Sequence, residues 1–331
     1  MFSGISTIFI VCIMFITLMG IASVSLAEEG TWTIKDFMPN PRYGLSANTV
    51  NGKIYVIGGA IGGDKPVIPV EEYDPAKGAW KTKANMLTGR GWISASMVKG
   101  NIYVIGGLAR QVTVEEYDPA KDKWTRKADM PTGRSMLSTS VVNDKIYAIG
   151  GNFNVPAATV EEYDPAKDKW TKKADMPTRR FLLSTSAVGG KIYAIGGWLS
   201  MWVPTSTVEE YDPATDTWTK KADMPTARGG LSSCVLDGKI YAVGGLGSAI
   251  VEVYNPATNK WTKEENAPTI RYGSATCVLN GRLYAIGGAF AVRAGNLIPN
   301  VDEYTPEGWL PILPVSPQGK LAATWGQVKQ H

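Results

Sequence analysis

One motif recurs six times along the chain, and this repeat limits the possible folds more than any other feature. Each copy has an arginine, a segment ending in Gly-Gly, and a Glu-rich segment ending in tyrosine. Successive arginines are 48, 44, 46, 48 and 43 residues apart. A unit of this period buries its apolar face only by stacking on neighbouring copies. The arginines are Arg42, Arg90, Arg134, Arg180, Arg228 and Arg271, and the tyrosines are Tyr73, Tyr117, Tyr163, Tyr211, Tyr254 and Tyr304.

Each copy predicts four short strands. The first, residues 135–142 in the third copy, is rich in small and β-branched residues. Dipeptides such as Asp237-Gly238 follow it and favour the positive φ angles of a tight hairpin. The second strand ends at Gly-Gly, the third ends at a proline that cannot donate to a ladder, and the fourth begins near a tryptophan. Because no helical period competes, the repeat predicts an all-β, six-bladed propeller.

The order of these motifs resembles the kelch repeat-containing β-propeller family. The pattern is arginine, Gly-Gly, Tyr-Asp-Pro, tryptophan and Met-Pro, and the resemblance covers roughly residues 30–309. It implies four-stranded antiparallel blades around a central channel. It also implies two enzymatic alternatives, a copper oxidase and an exported sialic acid mutarotase, a sugar mutarotase or epimerase. The oxidase is excluded because its copper needs histidine ligands, and the only histidine is His331. We therefore expect no metal and no cofactor.

The two ends of the repeat array predict how the ring closes. The sequence around Trp32 matches a fourth strand that precedes the first arginine, while Trp309 follows Tyr304 by five positions instead of the usual seven. We expect the strand around Trp32 to complete the sixth blade, because closure removes exposed strand edges. The alternative is that Trp309 closes this blade. On either reading, the propeller occupies residues 28–309.

The N-terminal segment, residues 1–27, predicts export. It contains no charged side chain, and Ser25 and Ala27 fit a signal-peptidase site after a long apolar run. The alternative is an uncleaved membrane anchor formed by residues 5–26, since the run is long enough to cross a bilayer. Both predict a secreted or periplasmic propeller, with membrane contact only if the segment stays uncleaved. Residues 310–331 predict an extended proline-rich tail without an assigned role.

Charge and cysteine content narrow the function further. The net charge is +4 and no block of five like charges occurs, so we expect no nucleic-acid partner. Cys234 and Cys277 occupy equivalent positions in adjacent copies. We expect buried free thiols there, because neighbouring blades usually hold Cα atoms farther apart than a disulfide allows.

Strand order divides the loops between two ends of the propeller. The Gly-Gly face carries the six arginines, the Gly-Gly pairs and the loops that follow them. The turn face carries the hairpin turns and the Asp-Pro turns, which are rich in Lys and Asp and predict a solvated rim. The loops of the Gly-Gly face vary most between copies, and variable loops on a rigid scaffold are typical recognition sites. In the fourth loop, Trp198 and Trp202 are expected to be exposed or to fold onto a neighbouring loop.

The repeated arginines are candidates for ligand binding on this face. A guanidinium fork suits carboxylates, and the resemblance implies that such arginines bind acidic peptides in some kelch propellers. The alternative is a structural role, in which each arginine pairs with a glutamate such as Glu72 or Glu116. Aromatic side chains near the arginines are predicted to line the same rim. The candidate site comprises Arg42, Arg90, Arg134, Arg180, Arg228, Arg271, Tyr43, Trp92, Phe181, Trp198, Trp202 and Tyr272.

The sequence favours a binding module that recognises a protein or a glycan through the Gly-Gly face. Sugar ring opening needs a general acid and a general base, and Asp64 is the only carboxylate in the loops that follow the Gly-Gly pairs. A mutarotase therefore remains the first alternative. A structural domain of a surface assembly is the second.

Overall fold

The computed structural model describes residues 30–108, 112–152, 155–291 and 296–306. The predicted signal segment 1–27, Trp309 and the tail 310–331 lie outside the described residues. Within the described ranges, no helix is long and apolar enough to cross a membrane. The helical content there is one 3₁₀ turn, Gly62–Asp64.

Six four-stranded antiparallel sheets form the blades, as predicted. Each blade runs from its innermost to its outermost strand in chain order, apart from the sixth. Blade 1 carries an extra short strand, whereas blades 2 and 3 do not. The strands of these blades are β2 (Tyr43–Val50), β3 (Lys53–Ile61), β4 (Lys65–Pro66), β5 (Val70–Asp74) and β6 (Ala79–Lys83); β7 (Ser94–Val98), β8 (Asn101–Ile105), β9 (Val114–Asp118) and β10 (Lys123–Arg126); and β11 (Ser138–Val142), β12 (Lys145–Ile149), β13 (Val160–Asp164) and β14 (Lys169–Lys173).

Blade 4 carries an additional hairpin in its variable loop, and blade 6 takes its outermost strand, β1, from the beginning of the described chain. The strands of these blades are β15 (Ser184–Val188), β16 (Lys191–Ile195), β17 (Trp198–Ser200), β18 (Val203–Pro204), β19 (Val208–Asp212) and β20 (Thr217–Lys220); β21 (Ser232–Leu236), β22 (Lys239–Val243), β23 (Val251–Asn255) and β24 (Lys260–Lys263); and β25 (Ala275–Leu279), β26 (Arg282–Ile286), β27 (Asn300–Thr305) and β1 (Thr31–Phe37).

The predicted ring closure is confirmed. Strand β1 pairs antiparallel with β27, and Trp32 lies opposite Tyr304 in the register. Their ring centroids are 5.2 Å apart. The Trp32 indole also donates to the backbone carbonyl of Glu265 in blade 5. The closing strand therefore joins the first and last copies of the repeat in one sheet.

The hydrophobic core lies between neighbouring blades. The cluster between blades 2 and 3, for example, packs Tyr103 and Ile105 against Leu137 and Tyr163. Equivalent clusters of buried residues fill the other contacts between blades. The second strand of each blade is covered on both sides. Its sequence is therefore apolar at successive positions instead of alternating between apolar and polar residues.

A polar latch repeats at the rim of the turn face. Asp168 accepts hydrogen bonds from the Tyr163 hydroxyl (2.5 Å) and from the Ala128 backbone N–H of the preceding blade (2.9 Å). The Trp170 indole donates to the Ala128 carbonyl. Blade 1 has Gly78 at the position of the latch aspartate. These bonds explain the recurrence of tyrosine, Asp or Asn, and tryptophan in the repeat.

Candidate functional site

A closed circuit of backbone hydrogen bonds surrounds the channel at the Gly-Gly face. The residue two positions after each arginine has a positive φ angle. Its N–H donates to the carbonyl of the matching residue in a neighbouring blade, at 2.8 to 3.0 Å. Inside this circuit, the channel is a cavity of about 170 Å³ whose lining includes serine or threonine from every blade. The six residues of the circuit are Gly44, Trp92, Met136, Leu182, Gly230 and Gly273.

The six repeated arginines are buried beneath this circuit, in the structural role that the sequence left open. Arg134 donates to the Gly150 and Thr159 carbonyls (3.0 and 2.8 Å) and to the Glu161 carboxylate (2.7 Å). Burial lowers the pKa of the Arg134 guanidinium, and the charge of Glu161 opposes that shift. Ligand binding by these arginines stays a prediction, but the guanidinium groups do not reach the surface. The ion pairs are Arg42–Glu71, Arg90–Glu115, Arg134–Glu161, Arg180–Glu209, Arg228–Glu252 and Arg271–Asp302.

The prediction that Glu72 and Glu116 are arginine partners was wrong by one residue. Glu72 and Glu116 instead accept hydrogen bonds from the hydroxyls of Tyr55 (2.8 Å) and Tyr103 (2.7 Å). Successive side chains of a strand point to opposite faces. The glutamate one position earlier therefore faces the arginine.

The six aromatic residues of the predicted site do lie together, in one chain of ring contacts at the Gly-Gly face. Tyr43 contacts Trp92, with centroids 5.3 Å apart, and Trp92 contacts Tyr272 at 5.4 Å. Tyr272 stacks on Trp198 at 6.3 Å. Trp198 in turn contacts Phe181 at 5.6 Å and Trp202 at 5.3 Å. All except Trp202 are buried, so most of this cluster forms a floor beneath the face.

Trp198 was expected to be exposed or to fold onto a neighbour, and it folds down: only 1% of its surface is accessible. A Cβ added at Gly229 would lie 2.1 Å from an indole carbon of Trp198, and one added at Gly230 would lie 2.3 Å from the Tyr272 ring. The Gly229-Gly230 pair is therefore the sequence signal for this packing. The same pair does not occur after the other arginines.

Beyond Trp198, strands β17 and β18 form an exposed hairpin, which we call the finger (residues 199–204). All six of its residues are exposed, and none is charged. Trp202 is 57% exposed and adopts a φ of +65°. This conformation is rare for a bulky side chain. The finger thus holds an indole in solvent above the buried aromatic floor.

Asp64 is a residue of this face to which the sequence assigned no binding role. Its Oδ1 accepts hydrogen bonds from the Tyr43 hydroxyl (2.7 Å) and from the Trp92 indole N–H (3.0 Å). Burial and the bond to Asp64 raise the pKa of Tyr43 to about 12. Asp64 itself is exposed. Its carboxylate therefore lies at the outer surface and is fixed by donors from blades 1 and 2.

An apolar groove of about 690 Å³ runs beside the loop that carries Asp64. It lies at the seam between blade 1 and blade 6, since its walls come from the loops of both. Asn40 is the single polar side chain of the lining, and Ile68 is exposed in it. The lining residues are Asn40, Pro41, Ile61, Pro66, Val67, Ile68, Pro69, Leu297 and Pro299.

Within the described ranges, no group of three or more His, Cys, Asp and Glu side chains is placed to hold a metal ion. Cys234 and Cys277 are free and buried, as expected. Burial raises the pKa of the Cys234 thiol to about 12 and also raises that of Cys277.

Comparison with known proteins agrees with this architecture. A search of curated proteins found no match. A solved structure described as "Structure of YjhT" superimposes with a TM-score of 0.71, covering 81% of this chain and 96% of that chain at 19% sequence identity. The family model described as "Kelch motif" matches residues 41–87, 93–131, 133–177, 179–225 and 227–268. These five matches span most of the chain, which therefore belongs to the kelch-motif family of β-propellers.

Proposed function

We propose that this protein is a binding module that docks a protein or glycan ligand on its Gly-Gly face. The observation that carries the proposal is the finger, in which six successive exposed residues lack charge and present Trp202. Tryptophan is strongly enriched among residues that dominate binding energy. A rigid aromatic anchor of this kind suits an apolar pocket of a protein or the face of a sugar ring.

The distribution of exposed apolar side chains supports the same face. Among the described residues, large exposed hydrophobic side chains are concentrated in the loops after the Gly-Gly pairs, whereas the turn face carries mostly Lys and Asp. Apolar patches on one side of a soluble domain are typical of interaction sites. The side chains in these loops are Ile68, Val112, Val155, Leu199, Met201, Trp202, Val203 and Phe290.

A binding role is favoured over sugar ring opening by the chemistry of the same face. A general acid works best with a pKa near the operating pH, and the Tyr43 hydroxyl beside Asp64 has a pKa of about 12. We further propose an extracytoplasmic location, on the basis of the uncharged segment 1–27. A purely structural role would not explain why the finger is exposed and uncharged.

The proposal is tested by screening the purified propeller against glycan and peptide arrays with Trp202→Ala in parallel. The matched control is Ile34→Ala, because Ile34 is exposed to a similar extent (52%) but lies in the middle of the outer strand β1. We expect Trp202→Ala to weaken the best ligand at least about tenfold and Ile34→Ala to leave its affinity unchanged. Ligands that bind both variants as tightly as the wild type would refute the proposal.

A further inference from the structure

We propose that Asp64 makes the Gly-Gly face selective for a peptide segment that places a lysine or arginine beside an aliphatic side chain. This inference rests on the proposed binding function. It assigns the cation to the Asp64 carboxylate and the aliphatic group to the adjacent apolar groove. Three features of the described residues support it: the fixed carboxylate, its lack of a counter-charge, and the position of the groove.

The Asp64 carboxylate is held in place before any ligand binds. Both of its bonds, from Tyr43 and from Trp92, use the same oxygen, Oδ1. Both donors are buried in the aromatic floor and cannot follow a moving carboxylate. Among the described residues, Oδ2 accepts no hydrogen bond. An oriented carboxylate with one open oxygen is a ready partner for an ammonium or guanidinium group.

The charge of Asp64 is not neutralised within the described part of the chain. Its two partners are neutral donors, and the adjacent Lys65 forms no ion pair with it. Asp64 is also the only carboxylate in the loops after the Gly-Gly pairs. Arg110 and Arg293, the arginines of those loops, lie outside the described residues. A cation brought by a ligand would therefore meet a single fixed anion on a largely apolar surface.

The groove begins at the same loop. Strand β4 folds back on β3, with Ala60 opposite Pro66 and Ile61 opposite Lys65. Asp64 lies at the bend between these paired residues, and Ile61 and Pro66 line the groove. Adjacent side chains of an extended peptide are separated by only a few ångströms along the backbone, about 3.3 Å per residue. One extended segment can therefore reach both features.

The groove and the carboxylate together favour a peptide over a sugar. The groove lining is aliphatic and prolyl, with no aromatic face on which a sugar ring would stack. An acidic peptide is disfavoured because the six arginines that could receive its carboxylates are buried in ion pairs. The expected ligand is thus basic and aliphatic.

The experiment selects peptides from a phage-displayed random library with the wild-type propeller as bait. Selected peptides are synthesised, and their affinities are measured by calorimetry for wild type, Asp64→Asn, Asp237→Asn and Trp202→Ala. Asparagine retains the oxygen that accepts from Tyr43 and Trp92 but removes the charge. Asp237 is the control because it is exposed with a positive φ, like Asp64, yet lies on the turn face.

We expect the selected peptides to be enriched in Lys or Arg next to Leu, Ile or Val. Asp64→Asn should lower their affinity at least about tenfold, and Asp237→Asn should leave it unchanged. Replacing the peptide lysine by norleucine should abolish the difference in affinity between wild type and Asp64→Asn. Each change removes the same contact, the one between the lysine and Asp64, so the second change should have no further effect. The double variant Arg110→Ala, Arg293→Ala should bind these peptides at least as well as wild type.

The possible failures are distinguishable. Peptides that depend on Trp202 but bind Asp64→Asn unchanged would overturn the assignment of Asp64 and leave the proposed function intact. Enrichment of acidic peptides, or loss of binding in the Arg110→Ala, Arg293→Ala variant, would overturn the cationic ligand. If an aminosugar but no peptide bound in an Asp64-dependent way, the peptide class would be wrong. Wild type without any Trp202-dependent ligand would contradict the proposed function itself.

Discussion

The buried arginine of each blade acts as an internal cross-link. Arg180 donates to the Gly196 and Thr207 carbonyls (2.9 and 2.7 Å) and to the Glu209 carboxylate (2.8 Å). One side chain thus joins the Gly-Gly bend, the loop that follows it and the third strand. A charged group without exposure is stable only when an opposite charge and hydrogen bonds compensate for its lost hydration. This explains why arginine, Gly-Gly and a carboxylate recur together.

Loss of one partner should therefore be severe. We expect Arg134→Met to lower the free energy of unfolding by about 3 to 5 kcal/mol, because the buried Glu161 carboxylate is left unpaired. Urea denaturation measures the change. Arg179→Met is the control, since Arg179 is exposed, and it should shift stability by less than about 0.5 kcal/mol. In the double variant Arg134→Met, Glu161→Leu, much of the lost stability should return; an unchanged deficit would show that the ion pair is not the cause.

The two propeller cysteines, Cys234 and Cys277, should be chemically unreactive in the folded protein. Thiolate is the reactive form, and a pKa of about 12 for Cys234 leaves only about one thiol in 10⁴ ionised at pH 8. We expect neither Cys234 nor Cys277 to react with Ellman's reagent at pH 8 until guanidinium unfolds the chain. Ser200→Cys, in the exposed finger, provides a thiol that should react at once. Immediate reaction of the native chain without residues 1–27, which carry Cys12, would contradict the burial of these thiols.

At the scale of single residues, the sequence predicted which residues are important better than it predicted their burial and contacts. The arginines, the aromatic residues and the free cysteines were found from the repeat alone. The burial of Trp198 depends on space that Gly229 leaves in the next blade, which is a contact between distant residues. The importance of Asp64 likewise depends on Trp92, a residue of another blade.

At the scale of the element, the first strand of blade 3 begins later than predicted. The sequence predicted residues 135–142 as the first strand of the third copy, and the strand is Ser138–Val142. Met136, two residues before this strand, has a φ of +55° because it belongs to the backbone circuit around the channel. A circuit that passes through all six blades leaves no signal within a single copy, so strand patterns alone could not place it.

The circuit predicts a sharp difference between two glycines with the same φ angle of +71°. Gly230 lies in the circuit, where a Cβ would meet the Tyr272 ring, and Gly238 lies in a hairpin turn with open space around it. We expect Gly238→Ala to lower the free energy of unfolding by about 1 to 2 kcal/mol from backbone strain alone. Gly230→Ala should cost clearly more, because the clash adds to the strain. Equal effects in thermal denaturation would argue against a tightly packed circuit.

For the whole molecule, the fold was predictable because the same local pattern occurs six times. The closing strand was predictable because the last copy departs from the pattern at its fourth strand, while the sequence before the first copy supplies an additional one. The seam it forms has its own polar contact: the Trp80 indole of blade 1 donates to Asp36 of β1 (3.1 Å). Asp36 thereby accepts the indole bond that a backbone carbonyl of the preceding blade accepts in blade 3.

Closure makes a topological prediction. Thr31 and Thr305 are register partners, so a short loop can join residue 306 to residue 30 while new ends are opened at the exposed Asp237-Gly238 turn. We expect this circular permutant to fold and to unfold within a few degrees of wild type. Deletion of residues 30–37 should instead lower the melting temperature substantially and promote association, because β27 becomes an open edge. A deletion variant as stable as wild type would show that β1 is dispensable.

The pairing of Thr31 with Thr305 also fixes the orientation of anything fused to the propeller. Both residues lie at the turn face, where β1 starts and β27 ends. A tag or a carrier fused directly to residue 30 or residue 306 leaves from that side. A propeller of residues 30–306 captured on a sensor by either end should therefore hold its finger and Asp64 outward, toward the solution.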